Sequence, residues 1–69
     1  MNEIAISVNG ELRRVASTTK IDDLLQVAGL DPKAILVELN QVALQRREIP
    51  GVILKDGDRI EFIRIVAGG

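Results

Sequence analysis

The amino-acid sequence predicts an α+β fold in which about five strands form a mixed sheet and one helix packs on one face. Three observations predict it: short segments of alternating apolar and polar residues, a single segment with helical apolar spacing, and turn signals between them. The chain has 69 residues, so we expect one small domain, 1–69. Its core must be aliphatic, because Phe62 is the only aromatic residue.

The first predicted element is a β-hairpin. Residues 4–8 alternate between large apolar and small or polar side chains, as expected of a strand with one buried face. Asn9-Gly10 follows, and this pair favours a two-residue type I′ turn because both positions tolerate positive φ. The returning strand is predicted over residues 11–15, with Leu12 packing inward and Arg13 facing water.

A single helix of about ten residues is predicted after this hairpin. Thr19 is the expected N-cap, with Asp22 completing a capping box. Gly29 suits the left-handed position that follows a helix, and Pro32 prevents continuation. The apolar stripe of this helix has the spacing i, i+3, i+4, i+7 and consists of Ile21, Leu24, Leu25 and Ala28.

Three more strands complete the predicted sheet. Residues 35–39 and 42–44 form the third and fourth strands, joined by a turn at Asn40-Gln41. Residues 55–58 form another turn, and the last strand runs from residue 59 to about residue 66. With the first and last strands parallel at the centre and a right-handed crossover, this architecture is the ubiquitin-like β-grasp.

The stretch Val66-Ala67-Gly68-Gly69 is the first candidate functional site. Nothing else in the chain looks chemically reactive, and two glycines pass through a channel too narrow for side chains. Four extended residues reach ~13 Å, enough to carry a carboxylate into the active site of another protein. We therefore expect Gly69 to be the reacting residue and Gly68, Ala67 and Val66 to be its flexible tail. A frayed end or an engineering scar is the alternative.

A second candidate site lies on the last strand. If Ile60 and Phe62 face the helix, alternate residues face away from it, and several of these are apolar where an open sheet is normally polar. Scattered apolar surface residues give the same pattern, so this alternative stays open. The predicted partner-binding patch consists of Ile63, Ile65, Leu36 and Arg64.

Composition argues against several functions. The chain has no cysteine and no histidine, so it offers no disulfide, no thiolate metal site and no base to activate a serine. A net charge of −1 and a single aromatic residue argue against nucleic-acid binding. No apolar run is long enough for a membrane and no signal peptide is evident, so we expect a cytoplasmic protein. It is expected to be a carrier or substrate, not an enzyme, and to bind no metal; Asp56-Gly57-Asp58 is interpreted as a turn.

With these elements assembled, the chain resembles the ThiS family of sulfur carrier proteins over essentially its whole length. Five stretches in this order and spacing carry the resemblance: Val8-Asn9-Gly10-Glu11, Ile21-Asp22-Asp23-Leu24-Leu25, Val37-Glu38-Leu39-Asn40, Asp56-Gly57-Asp58-Arg59-Ile60-Glu61 and Gly68-Gly69. Two stretches depart from it. Many members have a charged or aromatic position before three glycines, where this chain has Ile65-Val66-Ala67, and Gln45-Arg46-Arg47 only partly matches a usual Pro-Arg pair.

The resemblance implies sulfur transfer for the thiazole ring of thiamine. An E1-like adenylating enzyme would join Gly69 to AMP using ATP and magnesium, both bound by that partner and not by this chain. A persulfide from a cysteine desulfurase would then displace AMP and leave a thiocarboxylate, which would pass sulfur to thiazole synthase. Three alternatives stay open: the small subunit of molybdopterin synthase, a ubiquitin-like modifier attached to lysines through Gly69, and an interaction domain with an inert tail.

Overall fold

The computed structural model describes residues 2–66, and Met1 and residues 67–69 lie outside the described part. Five strands, one α-helix and two short 3-10 segments follow one another in it, and the sequence patterns predicted all of these except the 3-10 segments. The elements in chain order are β1 (Glu3–Val8), β2 (Glu11–Ala16), α1 (Ile21–Ala28), a 3-10 segment (Pro32–Ala34), β3 (Ile35–Leu39), β4 (Val42–Ala43), a second 3-10 segment (Arg46–Gly51) and β5 (Arg59–Arg64).

The strands form one mixed sheet in the order β2-β1-β5-β3-β4. β1 and β5 are parallel, whereas β5 pairs with β3 in the antiparallel direction. This arrangement, with one helix on the sheet, confirms the predicted β-grasp fold. β5 occupies the centre, so the segment that leads into the tail has a strand on each side.

The core lies between α1 and the sheet face that α1 covers, and it is aliphatic, as expected. Burying one such side chain contributes about 1.5–3 kcal/mol to folding, so the aliphatic cluster is the main source of stability. Phe62 is only partly buried and packs at its border. The buried members are Ile6, Val8, Ile21, Leu25, Ile35, Val37, Ile49, Leu54 and Ile60.

The N-terminal end of α1 differs from the prediction. The N-cap is Lys20, not Thr19, and the backbone N–H of Lys20 donates to the Asp23 carboxylate at 2.9 Å, so the predicted Thr19–Asp22 box is wrong. The cause is a tertiary contact: the Thr19 carbonyl accepts from the N–H of Leu54 at 2.9 Å, whereas the carbonyl of an N-cap residue accepts the first bond of its own helix.

The C-terminal end of α1 is as predicted. Gly29 has φ 68°, in the left-handed region, and its N–H donates to the Gln26 carbonyl at 3.1 Å. The N–H of Leu30 donates to the Leu25 carbonyl at 2.9 Å, so the two bonds form a Schellman motif. At eight residues, α1 is far shorter than a membrane span, and no other helix within residues 2–66 is long and apolar enough to cross a bilayer.

The register of the first hairpin corrects the prediction for β2. Asn9 and Gly10 have φ values of 51° and 84°, as the predicted turn requires. Because only these two residues form the turn, Leu12 lies opposite Ser7 and Arg13 lies opposite the buried Ile6. Leu12 is therefore on the sheet face turned away from α1, which we call the outer face, and it is 77% exposed. Arg13 is on the helix side of the sheet but remains exposed, as predicted, so only the prediction for Leu12 is wrong.

Candidate functional site

The root of the predicted tail is β5. Five of its residues pair with β3, from Ile60 opposite Leu39 to Arg64 opposite Ile35. The strand ends at Arg64 and not at the predicted Val66, because its partner β3 begins only at Ile35. The N–H of Ile65 still donates to the Ala34 carbonyl at 3.0 Å, in the same antiparallel register. Val66 is 82% exposed. The other predicted site residues of the tail, Ala67, Gly68 and Gly69, lie outside the described part of the chain.

Two asparagine side chains hold β5 in the sheet. Asn9 Oδ1 accepts from the N–H of Phe62 at 2.8 Å, beyond the last β1–β5 residue pair, so it extends that pairing by one bond. Asn40 Oδ1 accepts from the N–H of Arg59 at 2.9 Å, and Asn40 Nδ2 donates to Asp58 Oδ1 at 3.0 Å. The sequence predicted both turns but not these side-chain bonds. The presence of asparagine at a positive-φ position of each turn could have indicated them.

Three predicted residues meet on the outer face beside this root. Leu36 and Ile63 lie directly opposite each other on β3 and β5, and they are 36% and 42% exposed. Ile65, 54% exposed, follows at the end of β5 and lines a small hollow of about 140 Å³ together with Leu36 and Arg46. We call Leu36, Ile63 and Ile65 the outer patch. Its role in binding a partner stays a prediction.

The fourth residue of the predicted patch, Arg64, lies elsewhere. It is opposite Ile35, whose side chain is buried beneath α1, so Arg64 is on the helix side of the sheet. There it lines a cavity of about 330 Å³ with Gly29 and Leu30 at the C-terminal end of α1. Since neighbouring strand residues point to opposite faces, Arg64 cannot share a face with Ile63. The structure therefore separates Arg64 from the outer patch.

An acidic pair borders the outer patch. Glu38 and Glu61 lie directly opposite each other on β3 and β5. Each is two residues along its strand from Leu36 or Ile63, so the two glutamates share the outer face with the outer patch. Within residues 2–66 neither carboxylate forms an ion pair, the one such pair being Arg13 with Glu11. Like charges directly opposite each other destabilise a sheet. Sequence reasoning missed this pair because it depends on the register between two distant strands.

The Asp56-Gly57-Asp58 stretch is a turn, as predicted. Gly57 has φ 87°, and Asp56 Oδ1 accepts from the N–H of Ala5 at 2.7 Å. Asp58 Oδ2 accepts from the N–H of Lys55 at 2.8 Å. Both carboxylates thus hold backbone in place at the start of β5. Across residues 2–66, no three His, Cys, Asp or Glu side chains are grouped so as to hold a metal ion.

Known proteins are similar to this chain over nearly its whole length. The sequence model of the ThiS family matches residues 6–69. The chain is 34% identical over 62 residues to the sulfur carrier protein ThiS of Thermus thermophilus, which covers 90% of this chain and 95% of that protein. The crystal structure of the thiamine biosynthesis protein ThiS from Geobacter metallireducens matches with a TM-score of 0.81 at 30% identity, covering 96% of this chain and 100% of that one.

A much longer protein is also similar. The chain is 29% identical over 62 residues to a thiazole synthase of Paramagnetospirillum magneticum, which covers 90% of this chain. The matched segment is 19% of that synthase, so the chain spans about a fifth of its length.

Proposed function

The chain belongs to the ThiS family, and from this premise we propose that it is a sulfur carrier protein of thiamine biosynthesis, with Gly69 bearing the sulfur. The observation that carries the proposal is the family match over residues 6–69, because it includes the body of the fold together with Gly68 and Gly69. The matches to ThiS proteins of two organisms, each over most of both chains, support it. In this proposal the chain is a protein substrate and not an enzyme.

The first chemical step activates the carboxylate of Gly69, which must be free in the working protein. An E1-like adenylating enzyme binds ATP and magnesium, and a carboxylate oxygen of Gly69 attacks the α-phosphorus. Pyrophosphate leaves, and Gly69 is joined to AMP as a mixed anhydride. A carboxylate is a poor electrophile, whereas the anhydride has a good leaving group, so the adenylate can accept a sulfur nucleophile.

The second step exchanges oxygen for sulfur. The terminal sulfur of a persulfide, made by a cysteine desulfurase, attacks the acyl carbon, and AMP leaves with the electron pair of the broken C–O bond. The product is an acyl disulfide. A thiol then attacks the donor-side sulfur, the S–S bond breaks, and Gly69 keeps its sulfur as a thiocarboxylate while the thiol and the donor form an ordinary disulfide. This chain has no cysteine that could compete in these exchanges.

The fold supports this chemistry by holding the root of the tail. β5 is bonded on both sides and is held at its start by Asn40 and Asp58. Four extended residues after Ile65 reach ~13 Å, so Gly69 can enter a narrow site while the body stays outside. We propose that the outer patch is the surface on which the adenylating enzyme positions that body, since it lies beside the tail and is apolar.

We propose thiazole synthase as the protein that accepts the sulfur. The match of this chain to a segment of a thiazole synthase supports the partnership, because sequence similar to the carrier occurs within a protein of that name.

The test is the intact mass of the protein. After incubation with the adenylating enzyme of the same organism, ATP, magnesium and a persulfide source, we expect a mass gain equal to one oxygen exchanged for one sulfur. Deletion of Gly69 should abolish the gain, and Gly69→Ala should reduce it strongly because a side chain enters the narrow site. The absence of any gain, with an enzyme that converts the Thermus thermophilus carrier, would contradict the proposal. Covalent adducts on lysines of other proteins would instead indicate a modifier.

A further inference from the structure

β2 leaves one side of its backbone without a partner strand. It is six residues long and lies at the edge of the sheet, where it pairs only with β1. In a hairpin with a two-residue turn, the two residues that flank the turn form a hydrogen-bonded pair. Along the ladder, such pairs alternate with non-hydrogen-bonded pairs, whose N–H and C=O groups point away from the partner strand. Val8 and Glu11 flank the turn, so Leu12 and Arg14 direct their N–H and C=O groups to the open edge.

A groove runs beside this edge, between β2 and α1. It encloses about 430 Å³. Val27, on α1, is 86% exposed there, although α1 buries Ile21 and Leu25 on its neighbouring face. The apolar surface of α1 therefore extends beyond the part of the helix that packs on the sheet. The residues that line the groove are Arg13, Arg14, Val15, Ala16, Thr19, Asp23, Leu24 and Val27.

The charged groups of the groove are mostly basic. Arg13 and Arg14 follow each other on β2 and therefore flank its open edge from opposite faces, Arg13 on the helix side and Arg14 on the outer face. Of these two arginines, within residues 2–66, Arg13 alone forms an ion pair, an exposed one with Glu11 at 3.5 Å. The carboxylate of Asp23 accepts from the N–H of Lys20 and thereby serves the start of α1. An incoming segment with acidic residues thus meets two arginines and a carboxylate that is already bonded.

We propose that this groove binds an extended segment of another protein as an added strand on β2. The segment carries two or more apolar residues at alternate positions and acidic residues beside them. Its backbone bonds to Leu12 and Arg14, its apolar side chains on the helix side enter between Val15 and Val27, and its carboxylates meet the two arginines. This interaction is independent of the sulfur transfer proposed above.

A foreign segment fits this edge better than a second copy of the chain. Two β2 strands paired in the antiparallel direction about Arg13 or Arg14 would place that arginine opposite its own copy. Pairing about Leu12 would place Glu11 opposite Arg13, but it would join only three residues of each β2. Like charges directly opposite each other destabilise such pairs, whereas an acidic segment replaces the repulsion by attraction. The charge of the edge therefore favours an acidic occupant.

The experiment is an NMR titration of the isotope-labelled whole protein with a synthetic peptide, acetyl-Asp-Glu-Val-Ile-Val-Leu-Asp-Glu-amide. We expect amide shift changes confined to residues 11–16 and to α1 residues that line the groove, with slower hydrogen exchange at Leu12 and Arg14 in the complex. A peptide in which lysines replace the four acidic residues should bind at least about tenfold more weakly.

A matched pair of variants tests the backbone contact. Arg14→Pro removes an N–H that points to the open edge and takes no part in the β1–β2 ladder, so the hairpin is retained. Arg14→Ala keeps that N–H and removes the same charge. We expect Arg14→Pro to lose binding and Arg14→Ala to weaken it only severalfold, with the spectrum of each free variant showing a folded sheet.

Four results would overturn the proposal. They are no shift changes at millimolar peptide, changes centred on the outer patch, equal binding of the lysine peptide, and equal binding by Arg14→Pro and Arg14→Ala. Shift changes at β2 that grow with protein concentration in the absence of peptide would show that a second copy occupies the edge instead.

Discussion

β5 and β2 are strands of equal length in one sheet, but they differ in how many of their backbone N–H and C=O groups already have hydrogen-bond partners. β5 has a strand on each side and two asparagine side chains on its backbone, whereas β2 has one neighbour and an open edge. The difference separates two tasks within a small domain. The central strand fixes the origin of the tail, and the edge strand has backbone groups left to offer to another chain.

The largest expected difference between these strands is in their contribution to stability. Ile60, on β5, is fully buried, and Ile60→Ala should lower the free energy of unfolding by about 2–5 kcal/mol, because it removes apolar contacts and leaves a cavity. Leu12→Ala on β2 is the matched control, and its side chain is 77% exposed. It should change that free energy by less than about 0.5 kcal/mol. Urea denaturation measures both, and similar losses would contradict the proposed division.

The second expected difference concerns the outer face. Ile63→Asp places a charge in the outer patch beside the tail, and under the proposed function it should lower kcat/KM for adenylation at least about tenfold, or about 1.4 kcal/mol. Leu12→Asp introduces the same charge on the same face beside β2 and should leave the rate unchanged. Pyrophosphate release by the adenylating enzyme measures both, with thermal unfolding as a check on folding. Equal losses from the two variants would exclude the outer patch as the docking surface.

The third expected difference concerns the side-chain bonds of the turns. Asn40→Gly retains the positive φ of 52° but removes the bonds to Arg59 and Asp58, so the free energy of unfolding should fall by about 1–2 kcal/mol. Gln41→Gly is the control, since Gln41 also has positive φ, 69°, and its side chain makes none of these bonds. It should be neutral or slightly stabilising. Hydrogen exchange at the amide of Arg59 should accelerate only in Asn40→Gly, and acceleration in both would indicate a general effect of glycine.

The smallest expected effect has the opposite sign. Glu61→Gln removes a like-charge contact with Glu38 and should raise the free energy of unfolding by about 0.2–1 kcal/mol. The gain should shrink in high salt, which screens exposed charges. Glu3→Gln on β1 is the control, because Glu3 lies opposite Ala16 and has no such neighbour. Denaturation in low and high salt compares them, and a loss of stability in Glu61→Gln would show that the carboxylate has a favourable partner.

The sequence predicted the central part of this molecule better than its edge. Alternation along residues 35–39 and 59–64 was enough to place Leu36 and Ile63 on one face, because side-chain direction in a strand has a fixed period. Leu12 was placed wrongly because an apolar residue was expected to be buried, whereas the turn fixed the register and put it outside.

Other features depend on contacts between distant residues and could not be predicted from local patterns. Thr19 lost the N-cap position because its carbonyl bonds to the N–H of Leu54. The opposition of Glu38 and Glu61 follows from the register of two strands. The groove beside β2 arises where α1 crosses the sheet, so its lining is known only from the assembled fold.

The parallel pairing of β1 with β5 also joins parts of the chain that are far apart in sequence. Val8 lies beside Ile60, and Asn9 bonds to Phe62 across 53 positions of sequence. Contacts so distant in sequence require a long loop to close, and the entropy cost of that closure slows folding. Damage to β1 therefore removes one of the two strands beside β5, together with the Asn9 bond, while the five pairs with β3 remain, so a chain with a defective beginning would hold the root of its tail less firmly. The central position of β5 thus makes the anchoring of the tail depend on both β1 and β3.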